Sequence, residues 1–143
     1  MDIKGLEYAI GMTNQLSETI SIEKWDEPLM KDIGTLRKLF VHLVRVRNIY
    51  RDGLETGVLA FPGVRPQKSV DLKNELHISK EQLIKAFLST KCTTVAFHDE
   101  RLTIEEVYSM AIQHEGIHQG QFAVALQNKG IELPPTWKKD WNL

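Results

Sequence analysis

Two stretches of this chain, roughly Gly34 to Leu54 and Thr103 to Lys129, repeat apolar side chains at steps of three and four for about five helical turns or more. That period places side chains on one face of an α-helix, whereas a half-buried strand needs strict alternation. In the earlier stretch Leu39, His42, Val46 and Ile49 form one inward line, and Leu36, Phe40, Leu43 and Tyr50 a companion line. A weaker repeat of Leu6, Ala9, Leu16 and Ile20 marks a helix from about Asp2 to Ile20. Gly5 and Gly11 weaken it by roughly 1 kcal/mol each relative to alanine. Another helix is expected from Ser79, with Gln82 as its capping-box partner and Leu83, Ala86 and Phe87 as its apolar face, fading near Cys92. The last helix is opened in the same way by Thr103 and Glu106, and stopped by Gly130 and Pro134-Pro135. No strand alternation rivals these patterns, so the expected class is all-α, a bundle of four helices.

Between Glu55 and Ile78 the period disappears and turn residues collect, namely Gly57, Pro62-Gly63 and Pro66. A connection this long inside a small bundle covers a site or crosses the end of the bundle. Phe61, Pro62 and Arg65 are the residues expected at a site mouth. The 143 residues carry no internal repeat or low-complexity tract and read as one domain, 1-143. With 18 basic against 19 acidic residues there is no basic excess to neutralise phosphates, so nucleic acid is not an expected partner. No run approaches the roughly 20 apolar residues of a membrane span, and no secretory signal opens the chain, so a cytoplasmic protein is expected. The one cysteine, Cys92, reads as a small buried hydrophobe.

Chemistry concentrates in the last helix. Val107, Ala111, His114, His118, Gln121 and Ala125 succeed one another at steps of four and three, so two histidines and a glutamine stand where a core line expects apolar groups. One such histidine is commonly a satisfied structural residue. Two at i and i+4 project from the same face and can share a cation. His42 lies on an inward line of a different helix, and three neutral imidazoles leave coordination positions open, as a catalytic metal site requires. His77 and His98 have no periodic partner and are expected to be exposed. The string His114-Glu115-Gly116-Ile117-His118 also satisfies H-E-x-x-H, in which the glutamate is the general base of a metallopeptidase. No histidine follows His118, and no substrate-binding strand is evident, so a peptidase is the minor reading. Glu115 lies about 100° around the helix from His114, a position behind the ligands or in solvent, with a proton-relay role open. Gln121 can orient an entering ligand or bond within the bundle.

These residues resemble the DinB/YfiT-like family of metalloenzymes. The resemblance rests on Leu39-Phe40-Val41-His42-Leu43, on His114-Glu115-Gly116-Ile117-His118-Gln119-Gly120-Gln121, and on Lys129-Gly130-Ile131 with Pro134-Pro135. Members usually carry arginine where this chain has Gln119, and many have an acid where it has Arg45-Val46-Arg47. The resemblance implies up-down-down-up connectivity and a divalent metal, usually nickel or zinc, on His42, His114 and His118. It also implies a frequent homodimer and a metal-dependent thiol transferase or isomerase that uses a low-molecular-weight thiol and acts on a small electrophile. A metal- or small-ligand-binding stress-response protein without turnover is the alternative.

Overall fold

The computed structural model of the protein describes residues 1–68 and 70–143. Its helices are α1 (Lys4–Thr19), α2 (Leu36–Thr56), α3 (Leu72–Ser89), α4 (Ile104–Asn128) and a short α5 (Pro135–Trp141), with two strands, β1 (Thr94–Phe97) and β2 (Glu100–Thr103), before α4. The ends follow the side chains. Thr35 accepts from the Lys38 N–H to open α2, and Gly57 closes it with a left-handed φ of 85°. Thr103 and Glu106 form the full capping box that the sequence announces for α4.

Three boundaries depart from expectation. Helix α3 starts at Leu72 rather than Ser79, because Asp71 caps it by accepting from the Asn74 N–H. Ser79 sits inside the helix, its hydroxyl donating to the Leu76 carbonyl at 3.1 Å. Pro135 begins α5 instead of only ending what precedes it, since a first helical turn has no use for the proline's missing N–H. The segment before α4 is an antiparallel hairpin pairing Phe97 with Glu100 and Thr94 with Thr103. His98 takes its turn with a φ of 53°, a conformation that histidine tolerates better than most residues. Strands of four residues are too short for alternation to stand out in sequence.

The connectivity is up-down-down-up. Leu6 meets Tyr108 and Thr13 meets Glu115, so α1 and α4 run parallel. Helices α2 and α3 run the other way, from an apolar cluster holding Leu36, Phe40, Leu72, Leu76, Phe122 and Leu126 to one holding Leu54, Leu83, Phe87, Leu6 and Val107. Because α2 and α3 are parallel, residues 57–71 must return along the bundle. The 21 residues of α2 span about 32 Å, and fifteen residues can reach about 50 Å when extended. The linker's length is therefore a requirement of topology. Its first part is pinned by the hairpin: the Leu59 N–H donates to the Ala96 carbonyl at 2.9 Å, and the Ala96 N–H to the Gly57 carbonyl at 2.8 Å. Gly53 permits that approach, since a Cβ there would collide with the Leu59 side chain.

The two apolar clusters are divided by a polar layer to which all four long helices contribute. Arg47 of α2 is 2% exposed and forks onto Glu115 of α4, also 2% exposed, with Nε to Oε1 at 2.6 Å and Nη2 to Oε2 at 3.1 Å. Thr13 of α1 donates to the second carboxylate oxygen at 2.6 Å. Arg47 Nη1 reaches Asn14 Oδ1 at 3.2 Å, the Leu76 carbonyl at 3.1 Å and the Ser79 hydroxyl at 3.3 Å. Gln119 Nε2 donates to the Ala9 carbonyl at 2.6 Å and to Thr13 Oγ1 at 2.9 Å. This layer lies level with the expected histidine site. No helix among the described residues is long and apolar enough to cross a membrane.

Candidate metal centre

The core stripe of α4 passes through Val107, Ala111, Glu115, Gln119, Phe122 and Leu126, all buried. His114 and His118 stand one position aside from it, half-buried and turned toward α2, while Gln121 is exposed. His42 faces them from α2. Its Nε2 lies 3.0 Å from His114 Nε2 and 3.1 Å from His118 Nε2. The three ligand atoms all fall within 4.8 Å of one another, so the cluster can hold a metal ion. It arises because α2 and α4 pack antiparallel at the level where the i, i+4 pair of one meets a single histidine of the other.

The environment favours the neutral form of His114 and His42, the form that ligation demands. Burial, with the neighbouring His118, His42 and Arg47, drives His114 down to about 3. His42 is lowered as well, by burial first and then by His118 and Arg45, with Glu115 opposing. His118 Nδ1 lies 3.0 Å from Gln121 Oε1, and because that oxygen can only accept, the ring hydrogen sits on Nδ1 and the Nε2 lone pair faces the cluster. Gln121 thus orients a candidate ligand from the rim. The donor set of three uncharged imidazoles suits a borderline divalent ion such as zinc or nickel.

Glu115 is held elsewhere. Its two oxygens accept three hydrogen bonds from Arg47 and Thr13, within the polar layer rather than among the histidines. H-E-x-x-H is present in letters, but the carboxylate that would activate water in a peptidase is locked into a buried ion pair. His77 is exposed on α3 and His98 exposed in the hairpin turn, so neither joins the cluster. Cys92 is half-buried against the apolar cluster around Leu54 and Val95.

Of the linker residues expected at the mouth, Phe61 packs edge-on between Tyr50 and Phe97, while Pro62 and Arg65 are exposed. It is Gly63 that approaches the site's surroundings. A Cβ there would stand 2.7 Å from Ile49 Cγ1 and 3.4 Å from Arg45 Cγ, so the linker backs the arginine that touches His42. Arg45 and Arg47, which the sequence left without roles, are charged neighbours of the site, as Glu115 is. A signal for Arg47 was present: its charge falls between the apolar runs of α2 at the level where α4 offers Glu115.

The DinB family model matches residues 6–141. Among solved structures, a DinB-like protein of Bacillus subtilis, YjoA, is similar with a TM-score of 0.74 and 17% identity, covering 92% of this chain and 94% of that one. At that identity the likeness is one of fold. No functionally curated protein matches the chain.

Proposed function

The chain belongs to the DinB family, and on that premise we propose that it is a divalent-metal-dependent enzyme joining a low-molecular-weight thiol to a small electrophile. The observation that carries this reading is the convergence of three imidazole Nε2 atoms from two helices with no carboxylate among them. A divalent ion, zinc or nickel, would keep nearly its full charge on such neutral ligands and would lower the pKa of an entering thiol so that it reacts as thiolate.

The protein's own residues supply position. His42, His114 and His118 provide the nitrogen donors, and Gln121 fixes the ring hydrogen of His118 away from the cluster. The Arg47–Glu115 pair ties α2 to α4 directly behind the histidines, which sets the distance across which the three rings meet. In the transfer, the sulfur forms a bond to the electrophilic carbon as the leaving group departs with its electron pair. Small molecules, rather than nucleic acid, are the proposed partners. A cytoplasmic homodimer is the proposed setting.

The experiment is metal analysis of the purified protein followed by reconstitution with zinc or nickel and turnover with a panel of thiols and halogenated or epoxide electrophiles. Metal retained at one equivalent, with turnover that H114A abolishes, supports the reading. Metal retained without turnover on any thiol would favour a binding protein over an enzyme, and no retained metal would refute both.

A further inference from the structure

Among the described residues Arg45 has no charge partner. The ion pairs among the described residues are Arg37 with Asp26, Arg47 with Glu115, Arg51 with Asp52, and Lys138 with Glu132. Arg45 is half-buried, and its Nε is shut away from solvent without any hydrogen-bond acceptor. Its stem is backed by Gly63 of the linker, and its Nη2 points at His42 Nδ1 from 3.3 Å. Glu115 is already engaged by Arg47 and Thr13. A guanidinium with an unpartnered buried nitrogen, beside three imidazoles, is a site that lacks an anion.

The imidazole chemistry sharpens the point. A guanidinium only donates, so in the observed contact His42 Nδ1 accepts, and the hydrogen of the neutral ring sits on Nε2. Ligation of an ion by Nε2 requires the hydrogen on Nδ1, where it would face the guanidinium N–H. The two cannot coexist at that distance, so Arg45 must turn to another acceptor when His42 serves as ligand. Among the described residues Arg45 has no ion pair to fall back on, and an anion bound at the site would supply the acceptor.

We propose that Arg45 is the carboxylate receptor of the histidine site, so that the thiol taken there carries a carboxylate which Arg45 holds while its sulfur is presented to the ion. The planar fork of arginine matches the two oxygens of a carboxylate, which a lysine cannot reproduce. This inference rests on the metal and thiol reading above and names the class of its thiol substrate.

The test uses the full chain loaded with cobalt(II), with thiol binding followed by the sulfur-to-cobalt absorption in the near ultraviolet. The probes are 3-mercaptopropionate and 3-mercapto-1-propanol, which differ in the carboxylate alone. The parent protein is expected to prefer the carboxylate thiol by at least about tenfold, the scale of a charge-assisted hydrogen-bond pair. R45M is expected to lower that preference by about tenfold, and R45K to restore only part of it. Chelation of cobalt by the carboxylate would survive the substitution, so the fall in the ratio reports Arg45 itself. A ratio unchanged in R45M, or an equal loss for both thiols, overturns the role of Arg45 alone. Cobalt lost on desalting, or no band with either thiol, overturns the metal and thiol reading and this inference with it.

Discussion

Replacing Glu115 by alanine removes the acceptor of three hydrogen bonds and leaves the Arg47 guanidinium, 2% exposed, without a counter-charge. Breaking a buried pair from one side costs about 3–5 kcal/mol, because the remaining charge can neither be solvated nor neutralised. A domain of this size has about 5–15 kcal/mol in all, so the single variant should lose at least about a fifth of its stability. At roughly 2–4 °C per kcal/mol, the melting temperature falls by about 6–20 °C. Removing both charges is different. In R47M/E115M the Leu76 carbonyl still accepts from Asn14 Nδ2 at 3.3 Å and from the Ser79 hydroxyl at 3.1 Å. Thr13 Oγ1 still accepts from Gln119 at 2.9 Å. The double variant should therefore recover most of the loss, within about 1–2 kcal/mol of the parent, as apolar replacements of buried ion pairs commonly do. Urea unfolding followed by circular dichroism at constant m-value measures each member of the cycle. The reasoning is refuted if E115A loses less than about 1 kcal/mol, or if the double variant loses the sum of the two singles. The same cycle bears on chemistry: an E115A protein that remains folded and keeps its metal affinity is not using this carboxylate as a ligand.

Further outcomes follow from the histidine cluster. H42A, H114A and H118A should each weaken zinc binding by more than about 100-fold, since even partners behind the ligands are worth 10–100-fold, while H77A and H98A leave it unchanged by titration calorimetry. Q121A, which frees the tautomer of His118 without removing a ligand, should lose roughly tenfold in the same assay. The lowered folded-state value of His114, about 3 against 6.5 for the free side chain, means that the unfolded chain takes up more protons in this window. Its contribution is present above pH 6.5 and lost as the pH falls toward 3. The urea midpoint of metal-stripped protein should therefore decline faster with acid than that of H114Q, and equal slopes would contradict the shift. Zinc at about 100 times its dissociation constant should add about 2.7 kcal/mol, a rise of about 5–10 °C in the melting temperature by calorimetry.

Local chemistry in the chain was enough to determine α1, α2 and α4, because their periods, and for α4 the capping box as well, are written in consecutive residues. Thr103 with Glu106 and the run from Leu36 to Leu54 need no distant partner to be read. The three candidate ligands were legible for the same reason, as i, i+4 spacing is a property of one helix and His42 stood out on an apolar line. What could not be read depends on pairing across elements. Ser79 resembles a cap until Asp71 is seen to cap α3 at Leu72, and the strands on either side of His98 are too short to announce themselves. The interior path of α4 is the clearest case. Two lines one residue apart share Val107 and Ala111, and only the meeting with Arg47 of α2 decides that Glu115 is buried while His114 and His118 turn toward His42. A charged residue on a core line is costly alone and satisfied in company, so its place is settled by the tertiary partner that neutralises it.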